Sequence, residues 1–578
     1  MDTLSETLVL KRVKSPADLR SMSLNELREL AADVRRALLD KVSAHGGHVG
    51  PNLGMVEATI ALHYVFNTPE DKLIFDVSHQ SYPHKILTGR ARAFTDPDHY
   101  DDVTGYTNPS ESPYDLFSLG HTSSAVALAT GVAKARDLRG GQENVVAVIG
   151  DGSLSGGVAF EGLDYGATLG SNFIVVVNDN DMSIAENHGG IYADLRLLRH
   201  SNGTAEPNLF RSMGYAYRYV HYGNDLRSLI EMFRAVKDID HPVVVHINTM
   251  KGLGLPVAEA DKETFHWSMP FDLKTGALLD NSVDDTPGYD DIFATDMLKM
   301  MQADPTVVTM TAGTPGVLGF SPERRRQAGR QFIDVGIAEQ QAVDMAAGLA
   351  KGGAKPVFGV VSSFLQRAYD QFAQDAALNR QPATFVVFYA TMFGMNDETH
   401  LGFFDVALLG NIPNLQLLAP TCRNEFEAML SWAVNRKDST TPVVIRIPGS
   451  PAVDNPEVAT LDDYSVAPYQ TVRQGEKVAL IGAGTFLPTM LQAADLLKEK
   501  GVNPTVINPR SLSVLDTAAL DALRYYDLVI TAEDGIVEGG YGQKVASYLG
   551  TSPVKVINLG LPKAFPNHYS ASELARPG

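Results

Sequence analysis

The chain has 578 residues, a formal net charge of −20 and 44% hydrophobic residues. Its length predicts about three domains of ordinary size. The acidic balance argues against nucleic-acid binding as a main function, and no apolar run is long enough to predict a membrane span. The single cysteine, Cys422, cannot form an internal disulfide, and the first residues do not resemble a signal peptide, so we expect a cytoplasmic protein.

The first predicted domain, residues 1–285, contains two apolar runs that each end in polar residues. Residues 145–149 and 173–177 are typical of buried parallel strands. Gly-Asp-Gly follows the first run at 150–152, and Asn-Asp-Asn follows the second at 178–180. Because ligands of α/β sheets bind at the carboxyl ends of the strands, we expect both motifs to lie at a ligand site.

The residue types in these two motifs suit a metal and a phosphate. Gly150 and Gly152 allow the backbone to approach a phosphate closely. Asp151, Asn180 and a backbone carbonyl near Met182 provide oxygens of the kind that Mg2+ binds together with phosphate and water. Two ordinary strand-to-turn transitions are the alternative, but the second motif favours a cofactor site. The pair resembles the thiamine diphosphate motif.

Two further α/β domains are predicted, with strands and helices in alternation. A strand at 242–247 closes the first domain, and residues 273–291 have the composition of a linker. The second domain, 291–450, has predicted strands at 332–335, 355–361 and 384–388 and a predicted helix at 339–349. The third domain, 465–578, has predicted strands at 477–481, 504–507, 527–530 and 554–557. We therefore expect each domain to be a mostly parallel sheet with flanking helices.

Short motifs along the whole chain carry a family resemblance. They are Gly-His-Val-Gly at 47–50, Asp-Val-Ser-His at 76–79, Gly-His-Thr-Ser at 120–123, Lys-Gly-Leu-Gly at 251–254, Thr-Phe-His at 264–266, Asp-Val-Gly-Ile-Ala-Glu-Gln at 334–340, Ser-Phe-Leu-Gln-Arg at 363–367 and Thr-His at 399–400. With them the chain resembles the 1-deoxy-D-xylulose-5-phosphate synthase family of transketolase-like thiamine enzymes. The resemblance implies a three-domain transketolase-like architecture, thiamine diphosphate and Mg2+ as cofactors, and a homodimer.

The resemblance also implies a role for individual residues. Glu339 resembles the glutamate that hydrogen-bonds the aminopyrimidine of the cofactor, Phe364 is expected to stack on that ring, and Arg367 to hold a carboxylate. Proton transfer or oxyanion stabilisation is implied for His48, His266 and His400. The other implied cofactor-binding residues are His79, Gly120, His121, Thr122, Asp151, Gly152, Ser153, Asn180 and Lys251, with Asp151, Asn180 and Met182 at the metal. Taken singly, each histidine is better explained as a hydrogen-bonded structural residue.

At three positions that the family pattern uses to bind one group of the ligand, this chain has other residues. Val361, Tyr389 and Gly449 stand where a tyrosine and two arginines are expected to hold the phosphate of glyceraldehyde 3-phosphate. Because arginine binds phosphate through paired charge-assisted hydrogen bonds, the three changes together predict a different acceptor. Residues 190–210 are also a shorter segment than in the family, which predicts a cleft open to a different substrate, altered gating of the active site, or only a trimmed surface loop.

The leading hypothesis is a carboligase that depends on thiamine diphosphate and Mg2+. It is expected to decarboxylate pyruvate, or a close 2-oxo acid, and to add the two-carbon unit to an aldehyde without the usual phosphate. An authentic 1-deoxy-D-xylulose-5-phosphate synthase, a transketolase-type ketol transferase and a non-catalytic regulatory homologue are the alternatives. No nucleic-acid or membrane partner is expected.

Overall fold

The computed structural model describes residues 9–279, 286–437, 440–567, 569–570 and 574. The chain forms two compact units, Met1–Val283 and Asp284–Gly578. The division into three domains remains a prediction. The linker predicted at 273–291 includes residues 280–285, which lie outside the described residues.

The first unit has seven strands among its described residues: β1 (Gly47–His48), β2 (Lys72–Phe75), β3 (Val145–Gly150), β4 (Phe173–Asp179), β5 (Ala216–Val220), β6 (Pro242–Asn248) and β7 (Trp267–Ser268). Five of them form a parallel sheet in the order β2-β3-β4-β6-β5, and a separate antiparallel pair joins β1 to β7. The strands predicted at 145–149, 173–177 and 242–247 are confirmed as β3, β4 and β6.

Helices cover both faces of this sheet, because alternate residues of the apolar strands point to opposite sides. Val146 and Val148 belong to one hydrophobic cluster, whereas Val145, Ala147 and Ile149 belong to another. The longer helices are Leu24–His45, Val56–Val65, Ala125–Arg139, Gly157–Gly166, Ile191–His200 and Leu226–Val236. The doubly covered sheet leaves the carboxyl ends of its strands as the place for a ligand.

The second unit contains two sheets. The first is parallel, in the order β12-β13-β11-β10-β8-β9. Its strands are β8 (Val307–Thr311), β9 (Phe332–Asp334), β10 (Lys355–Val361), β11 (Thr384–Phe388), β12 (Gln416–Leu418) and β13 (Val443–Arg446). Its longer helices are Tyr289–Ala303, Glu339–Lys351 and Arg423–Asn435. The strands predicted at 355–361 and 384–388 and the helix predicted at 339–349 are confirmed.

The other sheet of the second unit has the order β14-β16-β15-β17-β18, with β14 as an antiparallel edge strand. Its elements are the strands β14 (Gln470–Arg473), β15 (Val478–Gly482), β16 (Thr505–Asn508), β17 (Leu528–Ile536) and β18 (Lys555–Leu561) and the longer helices Leu487–Glu499 and Tyr541–Leu549. One hydrophobic cluster contains residues of both sheets, including Phe385 and Ile481.

In the part of the chain that the structure describes, no helix is long and apolar enough to cross a membrane.

Candidate active site

The two polar motifs of the first unit lie side by side at the carboxyl ends of β3 and β4. Gly150 pairs with Asn178 in the parallel register, which brings Asp151 beside the turn that follows β4. One carboxylate oxygen of Asp151 accepts hydrogen bonds from the Met182 amide at 3.1 Å and from Asn187 Nδ2 at 2.7 Å. A Cβ atom at Gly152 would lie 2.8 Å from Ser183 Oγ, so this close approach requires glycine.

The charges of this turn fit a hard cation. Burial, assisted by the nearby Asp179 carboxylate, raises the pKa of Asp151 to about 7. The buried Oδ1 of Asn180 has no hydrogen-bond partner among the residues described. Over those residues, no three His, Cys, Asp or Glu side chains converge as a metal cluster. A carboxylate, an amide oxygen and a nearby carbonyl are therefore a set that suits Mg2+ with phosphate and water rather than a closed all-protein site.

The remaining predicted cofactor residues of this unit surround the same turn. Lys251 is buried, and its Nζ donates to the Ser183 carbonyl at 2.6 Å. Burial lowers the pKa of Lys251 to about 7. Residues 120–122 precede helix Ala125–Arg139, and Ser123 Oγ donates to the Ser153 carbonyl at 2.8 Å. The segment with Gly120, His121 and Thr122 is thereby held next to the Gly-Asp-Gly turn.

Three of the predicted histidines form one cluster in the first unit. The ring centroids of His48 and His79 are 5.1 Å apart, those of His79 and His266 are 5.1 Å apart, and those of His48 and His266 are 5.7 Å apart. The pairing of β1 with β7 sets this arrangement, because it places His48 opposite Trp267. Burial and the neighbouring Lys251 hold the pKa of His266 well below its ordinary value. His266 is therefore neutral near pH 7.

Sequence reasoning missed Tyr106, which adds an aromatic wall to this cluster. Its ring centroid lies 5.7 Å from that of His48, in an edge-on arrangement. The side chain is half-buried and follows a turn in which Thr104 Oγ1 donates to the Tyr106 carbonyl at 2.8 Å. A tyrosine in an irregular loop gives no pattern that would have identified it from the sequence.

In the second unit, the buried Glu339 pairs with the half-buried Arg367. Glu339 is the first residue of helix Glu339–Lys351, and Arg367 Nη1 lies 3.5 Å from its Oε2. Burial raises the pKa of Glu339, and Arg367 opposes that shift. The structure thus places the arginine predicted to hold a carboxylate beside the glutamate predicted to act on the cofactor.

Phe364 and His400 form a second contact in this unit, with ring centroids 5.5 Å apart. His400 Nδ1 lies 2.8 Å from Thr399 Oγ1, and Asp397 Oδ1 accepts from that hydroxyl at 2.5 Å. Burial would raise the pKa of Asp397, but hydrogen bonds from His400 and Thr399 outweigh it and lower the pKa. Asp397 is therefore the carboxylate that orients His400.

The three departures from the family pattern lie in the second unit, and two of them touch each other. Tyr389 has a positive φ of 53°, and Gly449 donates its amide to the Phe393 carbonyl at 2.7 Å. A Cβ atom at Gly449 would overlap the Tyr389 ring and lie 2.8 Å from the Phe393 carbonyl oxygen. Val361, the last residue of β10, is buried. The tyrosine ring therefore occupies the space into which a side chain at 449 would extend.

Gly449→Ala is expected to lower the free energy of unfolding by about 1 to 3 kcal/mol, because the added methyl group meets the Tyr389 ring and a fixed carbonyl. In a Tyr389→Ala background the same change should cost less, since only the carbonyl contact remains. Denaturant unfolding of the four proteins measures this coupling. Gly348→Ala is the control, because a Cβ there meets nothing within 4 Å. Equal costs in both backgrounds would contradict the packing described.

Arg446, which precedes Gly449 in the Arg-Ile-Pro-Gly motif, is buried between two carboxylates. Its Nε donates to Asp405 Oδ2 at 2.7 Å, and its Nη1 donates to Asp534. Burial would lower the pKa of Arg446, but the two carboxylates outweigh it and raise the pKa. Because both carboxylates pair with its charge, the Arg446 guanidinium stabilises the core of this unit.

Arg446→Met is therefore expected to destabilise the protein by about 3 to 5 kcal/mol, since it leaves two buried carboxylates without their cation. Thermal and urea unfolding would measure the loss. Arg330→Met removes an exposed arginine from the same unit and is expected to leave stability unchanged. A loss below 1 kcal/mol for Arg446→Met would be inconsistent with this ion-pair network.

Three protein-family profiles match successive parts of the chain. Residues 10–208 match the profile of 1-deoxy-D-xylulose-5-phosphate synthase, residues 285–451 that of the transketolase pyrimidine-binding domain, and residues 468–576 that of the transketolase C-terminal domain. The chain is 39% identical to the 1-deoxy-D-xylulose-5-phosphate synthase of Symbiobacterium thermophilum, over 97% of this chain and 91% of that protein. It is 38% identical to that of Chlorobaculum tepidum, over 98% and 96% respectively.

Among solved structures, transketolase from Leishmania mexicana is 17% identical, covers 96% of this chain and 94% of its own, and has a TM-score of 0.43. The matched domains and the parallel sheets define a transketolase-like enzyme, a transferase that depends on thiamine diphosphate. Within that class, the chain belongs to the 1-deoxy-D-xylulose-5-phosphate synthase family.

Proposed function

We propose that this enzyme decarboxylates pyruvate, or a close 2-oxo acid, and transfers the two-carbon unit to an aldehyde that lacks a terminal phosphate. The family membership supports the reaction type. The contact between Tyr389 and Gly449 carries the proposal for the acceptor, because it fills with a neutral ring a place where the resemblance expects two arginines. The resemblance also supports a homodimer.

Residues of the first unit are proposed to hold the metal and the diphosphate. Asp151, Asn180 and the Met182 carbonyl are proposed to hold Mg2+, and buried Lys251 is proposed to neutralise phosphate charge. The close backbone turn at Gly152 and the adjoining residues Ser153, Gly120, His121 and Thr122 are proposed to bind the diphosphate oxygens. His79 completes this set from the histidine cluster.

The residues of the second unit are proposed to orient the cofactor and manage its proton. When bound, thiamine diphosphate supplies the carbanion that the loss of carbon dioxide requires. Glu339 is suited to share a proton with the aminopyrimidine, because burial raises its pKa toward neutral pH. Phe364 offers an aromatic face for the same ring, and Arg367 a cation for the substrate carboxylate.

Three histidines are proposed to act on the reacting oxygens. His266 is neutral near pH 7, and its buried Nδ1 has no hydrogen-bond partner within the described ranges, so it is available to a substrate hydroxyl or carbonyl. His48 contacts it edge-on. His400, oriented through Thr399 by Asp397, is suited to donate a proton to an oxyanion.

The surroundings of the acceptor positions support a neutral aldehyde. Arg446 is bound by two carboxylates and is not free to hold a phosphate. The Tyr389 hydroxyl stays neutral, because burial raises its pKa. A phosphate dianion would therefore lose the paired hydrogen bonds that arginines supply, each worth about 1.5 to 3 kcal/mol.

Release of labelled carbon dioxide from pyruvate, measured with thiamine diphosphate, Mg2+ and a series of aldehydes, tests this proposal. We expect release that depends on both cofactors and is stimulated by an unphosphorylated aldehyde. The names of the relatives favour an authentic synthase as the second candidate, which stimulation by glyceraldehyde 3-phosphate alone would establish. Turnover of a ketose donor without carbon dioxide would indicate ketol transfer, and no consumption of any 2-oxo acid would refute the carboligase.

A further inference from the structure

Helix Ile191–His200, in the shortened segment 190–210, contacts both halves of the metal motif. Near its start, the Tyr192 hydroxyl donates to the Gly152 carbonyl at 3.1 Å. Near its end, Arg199 Nη1 donates to both carboxylate oxygens of Asp179, at 2.7 and 2.6 Å. One short helix thus links the turn after β3 to the turn after β4.

Arg199 holds the residues on both sides of Asn180. Its Nη1 binds Asp179, and its Nη2 lies 2.6 Å from Asp181 Oδ1. The Asp181 amide also donates to Asp179 Oδ1 at 3.1 Å, and Asp181 has a positive φ of 59°. Because the carboxylates before and after Asn180 are bound by one guanidinium, the conformation of this turn depends on Arg199.

Asp179 is held rigidly from its other side as well. His246 Nε2 lies 2.8 Å from Asp179 Oδ2, and the Tyr217 hydroxyl lies 2.8 Å from His246 Nδ1. Asp179 and His246 are fully buried, and Tyr217 is nearly so. The chain from Tyr217 through His246 to Asp179 fixes the carboxylate, and Arg199 extends this fixed point to the turn that carries Asn180.

We propose that Arg199 is a positioning residue for magnesium binding, and that the shortened segment braces the metal site instead of gating the active site. Arg199 acts through Asp179 and Asp181, and it keeps the Asn180 amide oxygen aimed beside the Asp151 carboxylate. This inference rests on the magnesium site of the proposed function. The proposed metal ligands and acceptor positions give helix Ile191–His200 no role, whereas this inference does.

Calorimetric titration of the full-length protein with Mg2+, at saturating thiamine diphosphate, tests this role by binding and not by turnover. Partners that orient metal ligands typically change metal affinity by about 10- to 100-fold when they are removed, so Arg199→Met is expected to raise the Mg2+ dissociation constant by that factor. Arg199→Lys keeps the charge but cannot span two carboxylates in the same way, and it is expected to weaken binding less.

Arg196→Met is the matched control, because Arg196 lies exposed on the same helix. It should bind Mg2+ like the natural protein. An affinity of Arg199→Met within twofold of the natural protein, or an equal loss in Arg196→Met, would overturn the inference. Should Arg199→Met fail to fold, Arg199→Lys decides by the same comparison. Absence of Mg2+ binding by the natural protein would instead contradict the proposed function itself.

Discussion

Replacement of Glu339 by glutamine is expected to slow exchange of the proton at the thiazolium carbon of bound thiamine diphosphate by about 100- to 10,000-fold. Glutamine keeps the size of the side chain but cannot give up or take up a proton. Glu339 is buried, and burial raises its pKa, so in the natural protein its carboxyl group holds a proton more readily than an exposed glutamate does. Deuterium exchange, followed by NMR after rapid acid quench, measures this step without any substrate.

Two comparisons make the Glu339 result specific. Glu499→Gln removes an exposed carboxylate at the end of a helix of the same unit and should leave exchange unchanged. The affinity for thiamine diphosphate should fall far less than the exchange rate in Glu339→Gln, because glutamine keeps the size and the hydrogen-bonding groups of the side chain. Exchange at the natural rate in Glu339→Gln would remove this residue from the cofactor chemistry.

Asp151→Asn is expected to stabilise the metal-free protein while it abolishes measurable Mg2+ binding. The pKa of Asp151 rises from 3.8 to about 7 on folding, so the ionised carboxylate destabilises the metal-free protein at neutral pH. At about 1.4 kcal/mol per pKa unit, the substitution should raise the free energy of unfolding of the metal-free protein at pH 8 by at most about 4 kcal/mol. Asparagine keeps an oxygen for the hydrogen bonds from Met182 and Asn187, so the turn is preserved.

The pH dependence of this stability follows from the direction of the shift. Because the folded protein binds the proton more tightly, the contribution of protonated Asp151 is fully present below pH 3.8 and is lost as the pH rises through about 7. The advantage of Asp151→Asn over the natural protein should therefore grow between these values. Thermal unfolding with and without Mg2+ measures it, with the exposed Asp164→Asn as control. A metal-free variant less stable than the natural protein at pH 8 would contradict the buried charge.

The sequence predicts the parts of this structure that depend on local patterns. The apolar runs that became β3 and β4 are continuous and end in glycine, aspartate or asparagine, so both the strands and the polar turns could be located. β5 was missed because Arg218 interrupts its apolar pattern, and β2 because it is only four residues long. The family resemblance identified the histidines, but the structure was needed to bring His48, His79 and His266 together.

Contacts between distant residues could not be predicted in this way. Arg199 lies on an amphipathic helix, and nothing in its neighbours indicates that it binds Asp179. His246 lies within a predicted strand, where its hydrogen bond to the same carboxylate gives no local signal. Tyr389 and Gly449 were recognised as separate departures, whereas the structure makes them one change, because the ring of the first excludes a side chain at the second.

The ratio of kcat/KM for D-glyceraldehyde to that for D-glyceraldehyde 3-phosphate, with pyruvate saturating, tests the central claim most directly. Each lost arginine contact to phosphate is worth about 1.5 to 3 kcal/mol. Compared with an enzyme that has both arginines, this protein should therefore prefer the phosphate ester less, by several orders of magnitude. We predict that the unphosphorylated aldehyde is the better acceptor. A value of kcat/KM at least tenfold higher for the phosphate ester would contradict the proposed acceptor and identify an authentic synthase with a different phosphate site.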